Sequence, residues 1–212
     1  MRVYRPAGRS AFATALTALA LAGTAAPATA APATAVTGER TALPGTTAGG
    51  PAEVDPGRYA GTWYQVAAVP QFFELQCKKN VMARYVPRAD GTVGVRNTCT
   101  TWWGSTSAVN GAARPLDDSG TRLNVSFLPR PSGGYLHTRE ANYVVVGLAA
   151  DYTWAAVTND DRSAGFLLSR TPSLDAADTA EAVAAFTAAG VDPCELRTTR
   201  QDGGEQRPAP LC

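Results

Sequence analysis

The sequence predicts an all-β protein, an eight-stranded up-and-down antiparallel β-barrel with one C-terminal helix packed outside it. Two observations carry that expectation. From Gly61 onward, short runs rich in Val, Tyr, Thr and Trp recur at close intervals, divided by clusters of Gly, Pro, Asn and Asp. That is the pattern of consecutive antiparallel strands. One helix breaks it: Leu174 to Ala189 places Ala182, Val183 and Phe186 at helical spacing.

The chain has 212 residues, 45% hydrophobic and 17% charged, which is enough apolar material for one core and the usual size of a single domain. Lys and Arg number 19 against 18 for Asp and Glu. That balance offers no basic stripe to nucleic acid and no net field to an acidic partner.

Taken in order, the first element is a signal peptide over residues 1–30. Arg2, Arg5 and Arg9 precede an apolar run from Ala11 to Gly23, and Ala-Thr-Ala repeats follow. The run is too short to span a bilayer. No cysteine precedes Cys77 to carry the lipid of a bacterial lipoprotein. The expectation is therefore a secreted, unanchored protein with no integral membrane segment after signal removal, and at most transient membrane contact. Residues 31–54 are mainly Ala, Thr, Gly and Pro and read as a flexible leader.

The barrel domain is expected over residues 55–201. Its strands are Gly61 to Pro70, Asn80 to Pro87, Thr92 to Thr101, Ala108 to Pro115, Arg122 to Leu128, Asn142 to Ala149, Tyr152 to Thr158 and Gly165 to Ser169. Ala89-Asp90-Gly91 supplies the positive φ that a tight hairpin needs between the second and third. Asp117 to Gly120 and Pro129 to Gly134 are breaks of similar chemistry. Eight strands in sequential order close on themselves and leave room for one small ligand. Thr171-Pro172-Ser173 leads into the helix and Gly190 stops it. Glu195 to Thr199 suits a short final strand, and the tail, residues 202–212, reads as disordered from Gly203 until Cys212.

Four cysteines, Cys77, Cys99, Cys194 and Cys212, suit two disulfides in an exported chain. Zinc is not expected, because the gaps are long and His137 is the lone histidine. No metal or other cofactor is called for. The hairpin at Asp90-Gly91 brings Cys77 and Cys99 to one end of the sheet, which leaves Cys194 and Cys212 to fasten the tail.

The segment Asp55-Pro56-Gly57-Arg58-Tyr59-Ala60-Gly61-Thr62-Trp63-Tyr64 resembles the opening of the lipocalins, a tight turn followed by Gly-x-Trp. Leu148-Ala149-Ala150-Asp151-Tyr152 resembles that family's motif between the sixth and seventh strands. Leu168-Ser169-Arg170-Thr171-Pro172 resembles the motif ending the eighth. The likeness runs from about Asp55 to Gln201 and is nearest to the bacterial and apolipoprotein D-like groups. It implies that Gly61 opens the first strand, that Trp63 plugs the closed end under the Arg170 guanidinium, and that Asp151 and Tyr152 shape a closed-end turn. Apolipoprotein D-like relatives also imply a second pairing scheme, Cys77 with Cys212.

The resemblance implies a small hydrophobic ligand, such as a fatty acid, lysophospholipid, sterol or pigment. If Trp63 faces inward, strand alternation places Gln65, Ala67 and Val69 inside too. Tyr85, Tyr143 and Val145 are further lining candidates. Phe72 and Phe73, in the loop after the first strand, either flank the entrance or cap the core. Of Trp102 and Trp103, consecutive positions, at most one lines the cavity. Arg84 and Arg139 are head-group candidates, though a solvated arginine is commoner. Catalysis is not expected: His137 has no Gly-x-Ser-x-Gly partner, and Asp160 and Asp161 are adjacent in a turn. The alternatives are an interaction protein whose barrel is filled by side chains and, further off, an enzyme on the same fold.

Overall fold

A computed structural model describes residues 50–212; the expected signal peptide, residues 1–30, and most of the expected leader lie outside these. Element α1 (Pro56–Tyr59) is a single turn whose cap is Asp55, the carboxylate accepting the Arg58 N–H at 2.8 Å. Eight strands follow: β1 (Gly61–Ala68), β2 (Cys77–Pro87), β3 (Val93–Thr101), β4 (Thr106–Pro115), β5 (Arg122–Ser126), β6 (Tyr143–Leu148), β7 (Trp154–Thr158) and β8 (Gly165–Ser169). Helix α2 (Ala176–Ala188) and a short β9 (Arg197–Thr198) complete the order. Each of β1 to β8 pairs antiparallel with its neighbour in sequence, and β1 pairs with both β2 and β8. The result is a closed eight-stranded barrel, with β9 added beside Ala67 and Ala68 of β1.

Boundaries shift where local chemistry overrides pattern. Tyr152, expected to open β7, has φ +64 and belongs to the preceding turn. There the Asp151 carboxylate accepts the Thr153 N–H and O–H. The β2–β3 turn is held the same way, by Asp90 on Thr92, with Gly91 at φ +79.

Alternation divides the apolar residues into two layers. Trp63, Tyr85, Val95, Ala113, Val145, Val157 and Leu168 pack inside the barrel. Trp154, Ala156 and Leu167, from the opposite faces of β7 and β8, pack outside against Ala182 and Phe186 of α2. Two register shifts interrupt the alternation, between Gln65 and Ala67 in β1 and between Val145 and Gly147 in β6. A bulge moves every later side chain to the other face. Ala67 and Val69 therefore pack in the outer layer, not in the interior where strict alternation from Trp63 had put them. Gly147 turns outward as well, and α2 sits so close that a Cβ there would lie 2.6 Å from that of Ala185.

Both termini of the barrel domain differ from expectation. Val54, at the end of the supposed leader, is buried and donates its N–H to Ser119 O at 2.8 Å. The tail is not disordered. Thr198 N–H bonds Ala209 O and Leu211 N–H bonds Leu196 O, laying the tail along β9, where Leu211 joins the outer apolar layer. Disulfides join Cys77 to Cys99 and Cys194 to Cys212, with Cα separations of 5.6 and 4.9 Å.

Candidate functional site

One end of the barrel is plugged. Trp63 is fully buried, and its indole N–H donates to Tyr59 O at 2.8 Å. The Arg170 guanidinium lies 3.7 Å over the Trp63 ring and donates to the carbonyls of Thr62, Arg58 and Tyr152. Desolvation of this guanidinium lowers its pKa, an effect opposed by the nearby tyrosines. Arg58 repeats the device at the rim, 4.0 Å over the Tyr152 ring with a bond to Ala150 O. These residues tie α1, β1, the β6–β7 turn and the end of β8 into one lock.

Above the lock lies a cavity of about 260 Å³. Its walls come from the inward faces of β2 to β6: Tyr85, Val93, Ala113, Leu123, Val125, Tyr143 and Val145, with Val54 and Tyr59 from the entry segment. The lining is chiefly apolar, as small-molecule sites are. Solvent reaches it past Glu53, Arg88, Asp117 and Asp118, all exposed, on the entry segment and the β2–β3 and β4–β5 turns. The mouth thus lies on the plugged end of the barrel, beside the lock.

Three phenols meet in this cavity. Tyr59 and Tyr143 hydroxyls are 2.8 Å apart, and Tyr143 donates to the Tyr85 hydroxyl at 3.2 Å. Their rings pack as well, Tyr59 against Tyr85 at 5.8 Å and Tyr85 against Tyr143 at 6.1 Å. Burial raises the pKa of all three, Tyr85 to about 12. They are neutral donors at physiological pH.

Of the seven expected lining residues, the fold brings Tyr85, Tyr143 and Val145 together. Ala67 and Val69 are outside by the bulge, and Phe72 and Phe73 stand at the opposite end of the barrel. Phe72 is 81% exposed, in a short 3-10 turn with Phe73 edge-on at 5.4 Å. Trp102 and Trp103 are exposed in the β3–β4 turn and neither lines the cavity. Arg84 points out of the barrel opposite Arg96, and Arg139 is exposed in the β5–β6 loop. The polar groups at the cavity are instead the tyrosines and the mouth residues. Tyr59 was missed as a lining residue because it lies before the first strand, although the turn Asp55 to Tyr59 aims it inward.

Among the described residues, no nucleophile or acid–base pair converges on the cavity. His137 bonds Asn124 through Nδ1 at 3.1 Å, and desolvation lowers its pKa. Asp160 pairs with Arg122 at 2.7 Å, and Asp161 accepts from Ser163.

A barrel closed by eight strands, a Trp–Arg lock and an outer helix define a lipocalin. The lipocalin-like domain family matches residues 54–201, and the chain belongs to this family. It is 32% identical over 153 residues to the outer membrane lipoprotein Blc of Citrobacter freundii, which covers 70% of this chain and 80% of that protein. It is 29% identical over 147 residues to temperature-induced lipocalin-1 of Arabidopsis thaliana, covering 68% and 77%. Among solved structures it resembles insecticyanin of the tobacco hornworm Manduca sexta, with a TM-score of 0.55 at 17% identity, covering 77% and 93%. The cockroach allergen Per a 4 gives 0.54 at 18%, covering 74% and 93%. These structural likenesses speak to the fold.

The family is in general one of binding and transport proteins for small hydrophobic molecules. One expectation is overturned. The sequence was read as that of a secreted protein that is not a lipoprotein, yet the bacterial relatives, in Citrobacter freundii and Escherichia coli, are outer membrane lipoproteins. The missing early cysteine had spoken to one anchoring chemistry only, and it does not decide location.

Proposed function

We propose that this lipocalin is a non-enzymatic carrier that holds one small apolar ligand in the 260 Å³ cavity above the Trp63–Arg170 lock. The apolar lining of that cavity carries the reading, because removing apolar surface from water yields roughly 25 cal/mol per Å². The volume is just below the roughly 300 Å³ where drug-sized sites begin. The ligand is therefore compact, or a longer molecule whose remainder leaves through the mouth. Native mass spectrometry of protein from its own source, followed by solvent extraction, tests this. One apolar molecule per chain supports the carrier reading. An empty protein that also ignores fluorescent apolar probes points instead to an interaction protein.

Membrane contact belongs to the same proposal. Phe72, Phe73 and Leu75 of the β1–β2 loop, Trp102 and Trp103 of the β3–β4 turn, and Leu136 of the β5–β6 loop are all exposed at the barrel end opposite the lock. The Trp102 indole N–H is already bonded to Leu75 O at 3.0 Å, so that ring enters an apolar phase without stranding a donor. Exposed Lys78, at the start of β2, and Arg130, in the β5–β6 loop, complement anionic head groups. The occupant proposed is an anionic lipid surface. Binding to phosphatidylglycerol vesicles, lost in the double variant Phe72→Ser/Trp103→Ser, is the expected result. Equal binding by wild type and variant overturns it.

A further inference from the structure

The polar centre of the cavity has one hydroxyl proton more than it has hydrogen bonds. Three hydroxyls make two hydrogen bonds: Tyr143 donates to Tyr85, so the bond between Tyr59 and Tyr143 uses the Tyr59 proton. The Tyr85 oxygen accepts, but its own proton meets no acceptor among the described residues. Once an apolar ligand displaces water from the cavity, leaving this donor unmade costs free energy, and an oxygen on the ligand removes that cost.

The surroundings narrow the acceptor. The three phenols carry no charge, and the neighbouring Arg170 guanidinium, stacked on Trp63, is committed to three carbonyls of the lock. At the mouth, Glu53, Asp117 and Asp118 outnumber Arg88, and the further guanidinium nearby, Arg122, is 4.0 Å from Asp117. An ionised carboxylate entering past these acids meets repulsion, and inside it loses hydration without a cation in the lining to pair with directly. A neutral carbonyl pays no such penalty and accepts one proton, which is what the site has to give.

We propose that Tyr85 anchors the buried end of the ligand by donating its hydroxyl proton to a neutral carbonyl oxygen, so that the cavity selects apolar ketones, aldehydes or esters over free carboxylates. This rests on the carrier reading above. The selectivity is set by a donor held in place through the chain Tyr59 to Tyr143 to Tyr85, and the strands that carry these residues are rigid parts of the barrel.

The test is a titration of the full chain with a medium-chain alkane, methyl ketone and carboxylate of equal length, by displacement of an apolar fluorophore. Wild type is expected to bind the ketone about 2- to 10-fold more tightly than the alkane, the worth of one net hydrogen bond, with the carboxylate weakest. Tyr85→Phe reduces the ketone's advantage. Tyr85→Phe/Tyr143→Phe abolishes it, since the single change frees the Tyr143 proton as a substitute. The quantity read is the ratio of ketone to alkane affinity within each variant, and circular dichroism reports that both variants fold. A carboxylate that binds tightest to wild type, or a ketone advantage that survives the double change, overturns the inference while the carrier reading stands. Failure of all three ligands to bind wild type removes the carrier reading and this inference together.

Discussion

Arg170 shows how much a single side chain does here. Its guanidinium covers Trp63 and bonds three carbonyls from separate elements, a fork that an ammonium cannot copy. Arg170→Ala is expected to lower stability by about 2–4 kcal/mol in urea unfolding, and Arg170→Lys to recover only a small part of it. Gly61 beside it has φ +99, and a Cβ there would sit 3.3 Å from the guanidinium; Gly61→Ala should cost about 1 kcal/mol or more on backbone grounds alone. The tyrosines give a pH signature. Tyr85 titrates at about 12 in the folded chain against 10.0 ordinarily. A folded pKa above the unfolded one means stability that is complete below pH 10 and is lost as pH rises towards 12. Alkaline titration should therefore show delayed tyrosinate absorbance that appears together with loss of the far-ultraviolet β signal. At this scale the motif residues were legible, because Gly61, Trp63 and Arg170 occur in fixed order. The hydroxyl chain was not, since Tyr59, Tyr85 and Tyr143 are far apart in sequence and meet only when the barrel closes.

At the scale of elements, the strand count and order were written in the turn chemistry, and the errors came from two bulges. A single extra residue is invisible to a period-2 reading, yet it sends Ala67 and Val69 outward and Gly147 under the helix. The bulge in β6 also explains why glycine stands at 147. Gly147→Ala would place a methyl 2.6 Å from the Ala185 Cβ and 3.1 Å from the Trp154 ring. Displacing α2 in this way is expected to cost about 1–3 kcal/mol, with Tm falling while the barrel's interior ligand affinity is preserved. The tail misled for a related reason: Gly and Pro composition predicted disorder, but Cys194–Cys212 and the pairing along β9 hold it down. Selective loss of the other disulfide, in Cys77→Ser/Cys99→Ser, should destabilise by roughly 2–4 kcal/mol in chemical unfolding.

At the scale of the whole molecule, the described barrel has two unlike ends. One carries the lock, the cavity mouth and a cluster of acids; the other carries exposed aromatics with basic residues at their side. Composition could not reveal this division, because the net charge of +1 averages over it. A barrel of this kind is able to sit with its aromatic rim on a lipid surface while its cavity mouth faces water. The fold supplies the container, and the proposed carrier function depends on the container being empty enough to use. Ala113, small and buried on the cavity wall, is the position where that is checked most directly. Titration of an apolar fluorophore against wild type and Ala113→Phe, with circular dichroism confirming that both fold, should give one saturable site in the wild type and its loss in the filled variant. Unchanged binding in Ala113→Phe would contradict the account, because the ligand would then be held somewhere other than this cavity.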